Sequence, residues 1–274
     1  MAGDTLVITP SKGWQPLDLR ALWAFRELGY FFAWRELKLR YKQTAFGAAW
    51  AVLQPVLMTI IFALVFGRLA KLPSEGKPYA LFSFVALVPW TFFSQAVSQG
   101  SRSLISSASL VSRVYFPRLL LPLGSVLSFL VDLAVATAVT LPLMAYYGEL
   151  PSAHVAMLPL VVVLLFAVSL GVALLLAAAN AQYRDVQYVV PFVLQLWLFA
   201  SPVAYSLSLI PDEYRTLYAV NPMSTVIEGF RFALLDTPAP TPSAVAVSTL
   251  SALLLLAAGA YYFRRTERLF ADVL

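Results

Sequence analysis

VVVLLFAVSLGVALLLAAA, residues 161–179, carries a single hydroxyl, at Ser169, and no charge. A strand of a membrane barrel alternates apolar and polar residues over about 10 positions, and this stretch does not alternate. It is close to the roughly 20 residues a helix needs to cross about 30 Å of hydrocarbon. Similar runs to either side place six spans, at roughly 46–67, 79–101, 119–147, 154–179, 188–206 and 243–263. The fold class expected is an all-α integral membrane protein.

Composition agrees. Apolar residues make up 60% of the chain and charged residues 12%, with a mean hydropathy of +0.78, whereas soluble domains carry about 25% charge. There is no cysteine, hence neither a disulfide framework nor a thiolate metal site. Asp4, Thr5 and Pro10 interrupt the only apolar stretch before residue 18, so no signal peptide is read there and the first span serves for insertion. Six spans put both termini on one side. That side holds 14 of the 19 Lys and Arg residues, and the other holds Arg68, Lys71, Lys77, Arg215 and Arg231. By the positive-inside rule both termini are expected in the cytoplasm.

Outside the spans, residues 19–42 read as a basic helix with Leu22, Phe25, Leu28 and Phe32 three or four apart. Trp23, Trp34 and Tyr41 suit the headgroup layer. The domain organisation expected is a cytoplasmic N-terminal segment with this interface helix over 1–45, then a six-span membrane domain over 46–274. Two terminal-side connections stand out: the serine-rich, basic, acid-free stretch 101–118, which ends Phe116-Pro117-Arg118, and the short 180–188, with Arg184 beside Asp185. The stretch 206–242 is neither loop nor span. Its apolar pieces are broken by Pro211, Asp212, Glu213, Arg215, Asn221, Pro222, Glu228 and Arg231, too polar for lipid. Two half-helices dipping into the outer leaflet fit it, at the mouth of a pathway, because irregular backbone at membrane depth needs protein or water around it.

The chemistry missing from the chain narrows the function. No G-x-x-x-x-G-K-[ST] loop is present to bind ATP, and no H-E-x-x-H, G-x-S-x-G or acidic cluster with metal spacing appears. No metal and no nucleic acid is expected. The single histidine, His154, reads as an interfacial polar residue. Asp132 is the main ionisable residue deep in a span, thin provision for an ion-coupled transporter, and it reads as a helix-packing or interfacial carboxylate bonded to a neighbour. Energy is therefore expected from outside the chain. Aromatics cluster where spans meet water, and Trp50, Phe62, Phe66 and Tyr205 are the candidates to line a passage, since flat rings stack on sugars without fixed charge.

Several motifs together resemble the permease subunits of ABC exporters for O-antigen, capsular polysaccharide and teichoic acid. Arg40-Tyr41-Lys42-Gln43-Thr44-Ala45-Phe46-Gly47-Ala48-Ala49-Trp50-Ala51-Val52-Leu53-Gln54-Pro55 is similar to the family's R-Y-x-x-[ST]-x-[LF]-G-x-x-W-x-x-L-x-P. Pro89-Trp90-Thr91-Phe92-Phe93, Asn180 with Arg184-Asp185, Ser201-Pro202-Val203-Ala204-Tyr205 and Asn221-Pro222 resemble further signatures in the same order. The resemblance implies a homodimer with two separate nucleotide-binding subunits, so that ATP and Mg belong to the partner ATPase and this chain needs no cofactor of its own. It implies an undecaprenyl pyrophosphate-linked polysaccharide as substrate, in a bacterial inner membrane. Spans one and five would line the channel. Arg113, Phe116, Arg118, Arg184 and Asp185 would dock the ATPase, and Pro202, Asn221, Pro222 and Arg231 would belong to an outer gate. Arg35, Lys38, Arg40 and Lys42, just before span one, are the candidate pyrophosphate ligands, Arg40 first, because Arg grips phosphate oxygens bidentately.

Competing readings are a teichoic acid permease or a drug- or small-lipid-exporting relative of the same architecture. From another class comes a membrane enzyme of lipid-linked sugar assembly, which would need catalytic carboxylates or histidines. A plain membrane anchor has no need of the polar, proline-broken segment 206–242.

Overall fold

A computed structural model of the protein describes residues 19–42 and 49–270. The elements are α1 (Leu19–Ala24), α2 (Arg26–Tyr41), α3 (Trp50–Phe62), α4 (Tyr79–Ser106), α5 (Ala108–Arg113), α6 (Leu120–Tyr146), α7 (Leu158–Gln182), α8 (Val186–Phe199), α9 (Asp212–Tyr218), α10 (Pro222–Leu235) and α11 (Pro242–Thr266). α3 runs on as a π-helical stretch over Ala63–Leu69, and short 3-10 turns cover Ala153–Met157, Leu207–Leu209 and Glu267–Leu269. No strand occurs among the described residues.

Five helical segments are long and apolar enough to cross a membrane: Trp50–Leu69, Tyr79–Ser106, Leu120–Tyr146, Ala153–Gln182 and Pro242–Thr266. The stretch expected as the fifth of six spans, 188–206, overlaps the 14-residue α8, Val186–Phe199. At 1.5 Å per residue α8 is about 21 Å long, short of the roughly 30 Å of hydrocarbon. It stops where Ser201-Pro202 breaks into turns. The first span was expected from residue 46; positions 43–48, Phe46 and Gly47 included, lie outside the described residues, and α3 begins at Trp50. Within 206–242, where two half-helices dipping into the outer leaflet are expected, the chain forms the short helices α9 and α10. The basic helix expected over 19–42 is two helices, because Phe25 leaves the helical region at φ −97°, ψ 19°. Phe32 of its apolar stripe is buried, Leu22 and Leu28 are half-buried, and Phe25 is exposed.

α4 is the axis of the packing. A helix that is apolar all round is buried all round, and α4 is covered by α3, α6, α7, α8 and α10, with Leu81–Pro89 buried without a break. One core follows α4 through the membrane layer. A second gathers Phe32, Phe116, Leu120, Leu174, Phe263 and Phe270 at the terminal end, where the described residues begin and finish and α2 lies along the first half of α6.

α7 and α11 make the closest helix crossing. A Cβ added at Gly171 would stand 2.6 Å from the backbone nitrogen of Leu256, and one at Gly259 would overlap the carbonyl oxygen of Gly171. Lipid supplies no hydrophobic drive between helices, so close backbone approach at small residues carries the association. Gly259→Ala is therefore expected to destabilise the purified protein by about 3 kcal/mol, the upper part of the overpacking range, because the clash is with backbone that has no rotamer to yield. Thermal unfolding in detergent checks this, and an unchanged midpoint contradicts the packing.

Candidate functional site

Two groups of polar residues mark the bundle, one at each end. At the terminal end, Arg40 closes an ion pair with Asp132 of α6 and donates a 2.8 Å hydrogen bond to Ser128 Oγ. The Tyr41 hydroxyl donates to the other oxygen of Asp132, and the guanidinium lies 3.5 Å from the centroid of the Phe129 ring. Burial pulls the Arg40 guanidinium below its usual value, opposed by the charge of Asp132 and, more weakly, by Glu36. A carboxylate 8% exposed within a span is tolerated because a cation reaches it. The arrangement fastens α2 to α6, and Gln99 of α4 adds a 3.4 Å bond to Glu36.

The four cations expected to hold a pyrophosphate are thus not equivalent. Arg40 is engaged with Asp132, Lys38 Nζ stands 5.4 Å from the Trp34 ring centroid, Arg35 is half-buried and Lys42 exposed. The residues expected to face an ATPase also divide. Arg113, Arg184 and Asp185 are exposed. Phe116 is buried, its ring 5.4 Å from that of Phe32, and Arg118 donates to the carbonyl of Glu267. Asn180 sits just before the Arg184-Asp185 pair and is 1% exposed, its Nδ2 donating to the Ser101 carbonyl at 2.9 Å.

At the opposite end, α9 and α10 fold back over the end of α8. Asn221 caps α10 by accepting from Met223 N at 3.1 Å, and it also accepts from Trp197 Nε1 at 2.9 Å. Its amide donates to the Ala200 carbonyl at 3.0 Å and to Ser201 Oγ at 2.9 Å. Pro222 takes the first helical position, where its missing N–H is no loss. Arg231, 3% exposed, donates to the carbonyls of Pro202 (2.7 Å), Val203 (2.9 Å) and Tyr205 (3.2 Å) in the turn after α8. Its guanidinium also donates to Phe82 O at 3.4 Å and lies 3.5 Å from the Phe82 ring centroid. The hydroxyls of Tyr205 and Tyr218 meet, and Tyr79 donates to Ala204 O. One turn before Arg231, burial pushes the Glu228 carboxyl up to about 7 against the pull of Arg231 and Arg215. Where α10 ends at Asp236, His154 Nδ1 lies 2.9 Å from the carboxylate and Ser152 Oγ 3.2 Å.

The expected outer group, Pro202, Asn221, Pro222 and Arg231, is therefore one bonded unit. The four aromatics expected along a passage are not. Trp50 is 50% exposed on α3, Phe62 is buried with its ring edge-on to Phe66 at 5.3 Å, and Tyr205 belongs to the knot around Arg231. Sequence reasoning missed Trp197, Tyr218 and Tyr79 as parts of that knot. No local signal separates them from ordinary interface aromatics. Replacing Asn221 with Ala removes the cap and strands the Trp197 N–H, and is expected to destabilise by about 2 kcal/mol. A melting curve of the variant reads that directly, and a loss under half that size would remove Asn221 from the knot.

Apolar helices long enough to span, a short helix stopped by a bonded polar knot, and a basic, partly exposed terminal face define a multi-pass membrane protein. The model of the ABC-2 type transporter family matches residues 28–235. The chain belongs to that family. It is 32% identical over 252 residues to the O-antigen export system permease protein RfbA of Myxococcus xanthus, covering 91% of this chain and 96% of the relative. Against the protein of the same name in Klebsiella pneumoniae it is 23% identical, over 90% and 97% of the two chains. The polysialic acid transport protein KpsM of Escherichia coli is 24% identical over 73% of this chain and 78% of its own.

Proposed function

We propose that this chain is the permease subunit of an ATP-driven exporter that carries lipid-linked polysaccharide, of O-antigen type, out of the bacterial cytoplasm. It works as a homodimer with two ATPase subunits that bind ATP and Mg. The terminal end faces the cytoplasm, by the distribution of Lys and Arg, and α8 with its following turns completes a sixth crossing. The observation that carries the reading is the knot around Arg231 and Asn221. A buried guanidinium bonded to loop carbonyls at the far end of a short apolar helix is a costly element in an anchor, and it suits a gate that must close and reopen.

In this reading Arg113, Arg184 and Asp185 meet the ATPase, and Phe116 and Arg118 brace the connection from within. Arg35, Lys38 and Lys42 attract the pyrophosphate headgroup at the inner surface, while Arg40 holds the interface helix in place. Deleting the gene in its host and staining surface glycan tests the function. Loss of long-chain glycan from the surface, with lipid-linked glycan accumulating inside, is the expected result, and an unaltered surface overturns the reading.

A further inference from the structure

α2 and α6 touch closely at two glycines and part beside them. A Cβ added at Gly124 would stand 2.9 Å from Phe32 Cβ and 3.1 Å from Ala33 N, and one at Gly29 would stand 3.3 Å from Leu120 Cδ2. Phe32 buries its ring against Phe116. Beside this contact a groove of about 690 Å³ opens between the two helices. Leu123, Leu127 and Val131, at intervals of four along one face of α6, form one wall. Trp23, Arg26, Tyr30 and Trp34 rim the other, all exposed. No residue of α3 or α8 lines it, so it lies apart from the passage expected along spans one and five.

Length and charge specify what fills it. From Arg26 to Leu37 the α2 wall is about 16 Å long at 1.5 Å per residue, close to half of the roughly 30 Å of hydrocarbon. Apart from Ser128, which is bonded to Arg40, and Arg26, the lining is apolar or aromatic. A groove of one-leaflet length that opens beside tryptophan and tyrosine suits an acyl chain whose headgroup lies at the aromatic rim. Arg26 is the one charged group on the groove and stands at its terminal end, 5.4 Å from the Trp23 ring centroid. One of its N–H groups donates to the Trp23 carbonyl at 3.2 Å, and no carboxylate among the described residues pairs with it. Its other donors are available to phosphate oxygens. One guanidinium balances the single negative charge of a phosphodiester headgroup, whereas a pyrophosphate asks for more than one cation.

We propose that this groove is a binding site for one acyl chain of an anionic phospholipid, with the lipid phosphate on Arg26 and the chain lying along α6 toward Val131. That the lipid comes from the inner leaflet rests on the reading that the terminal end faces the cytoplasm. Bound there, it fills the space between α2 and α6 that the chain itself leaves empty, and it holds the interface helix beside the Arg40–Asp132 ion pair.

The test uses the intact complex with its ATPase in phosphatidylcholine vesicles doped with phosphatidylglycerol that carries a photoactivatable diazirine on one acyl chain. After irradiation and digestion, adducts are expected on peptides covering 30–37 and 123–131, about fivefold above those from phosphatidylcholine bearing the same diazirine, as one basic contact to an anionic lipid supplies. Arg26→Gln, at an exposed position, is expected to bring the two probes to equal yield. Leu127→Trp, which fills the groove, is expected to suppress both while ATPase co-purification is kept. The comparison of the two probes on the parent protein stands whether or not the variants fold. Equal yields on the parent, yields that neither variant alters, or adducts displaced by polyprenyl pyrophosphate but not by unlabelled phosphatidylglycerol overturn the proposal. Absence of adducts from both peptides, as when residues 1–18, a second copy or the ATPase occupies the groove, overturns it too. These readouts report binding alone, so the groove assignment falls separately from the permease reading, which the surface-glycan experiment decides.

Discussion

Replacing Arg231 with Met is expected to destabilise the permease by about 4 kcal/mol and to unfasten its gate. The methionine fills much of the space but offers no donor, so the carbonyls of Pro202, Val203 and Tyr205 lose the partner that each now has. A buried acceptor left unpaired costs about 1–3 kcal/mol, and the loss of packing on Phe82 adds to it. Arg231→Lys is expected to recover less than half, because one ammonium cannot reach carbonyls that a planar fork spans. The chain has no cysteine, so Ser206→Cys, placed at a 2% exposed position in the same turn, is a clean reporter. A membrane-impermeant thiol reagent is expected to label it at least tenfold faster in the Arg231→Met background. Equal labelling rates and equal melting points would show that the turn is held without Arg231.

The second large effect is expected at the other end. Arg40→Met leaves Asp132 as a buried carboxylate bonded by Tyr41 but without its ion-pair partner, and removing one partner of such a pair typically destabilises by about 3–5 kcal/mol. Export is expected to fall about 100-fold. The decisive variant is the double substitution Arg40→Met with Asp132→Leu, which removes both charges and keeps an apolar contact between α2 and α6. If Arg40 serves to fasten α2, the double variant regains export to within about threefold of the parent, and the cycle shows strong coupling. If Arg40 instead grips pyrophosphate, the double variant exports no better than Arg40→Met alone.

Much of this architecture was legible in the chain because lipid imposes simple rules. Runs such as 161–179 admit only a helix, and α4, α6, α7 and α11 begin and end within a few residues of where hydropathy places them. The polar, proline-broken character of 206–242 likewise announced α9 and α10. What remained hidden depends on partners far apart in sequence. Asp132 could be read as bonded to a neighbour, but not that the neighbour was Arg40, 92 positions away. For the same reason the ion pair that Arg40, expected as a phosphate ligand, makes with Asp132 was not legible. Phe116 and Phe62 carried aromatic signals suited to docking and lining, yet tertiary packing turned both inward. α8 read as a full span because its apolar run continues through Phe199, and the stop comes from the turns at Ser201-Pro202.

The measurement that bears most directly on the central claim is transport itself. The chain and its partner ATPase, reconstituted in vesicles with the terminal face outward, would be given fluorescent polyprenyl pyrophosphate-linked glycan in the outer leaflet. Glycan that becomes shielded from an added glycosidase only while ATP and Mg are present is the predicted result, and steady ATP hydrolysis by an intact complex with the glycan still fully digestible would contradict it.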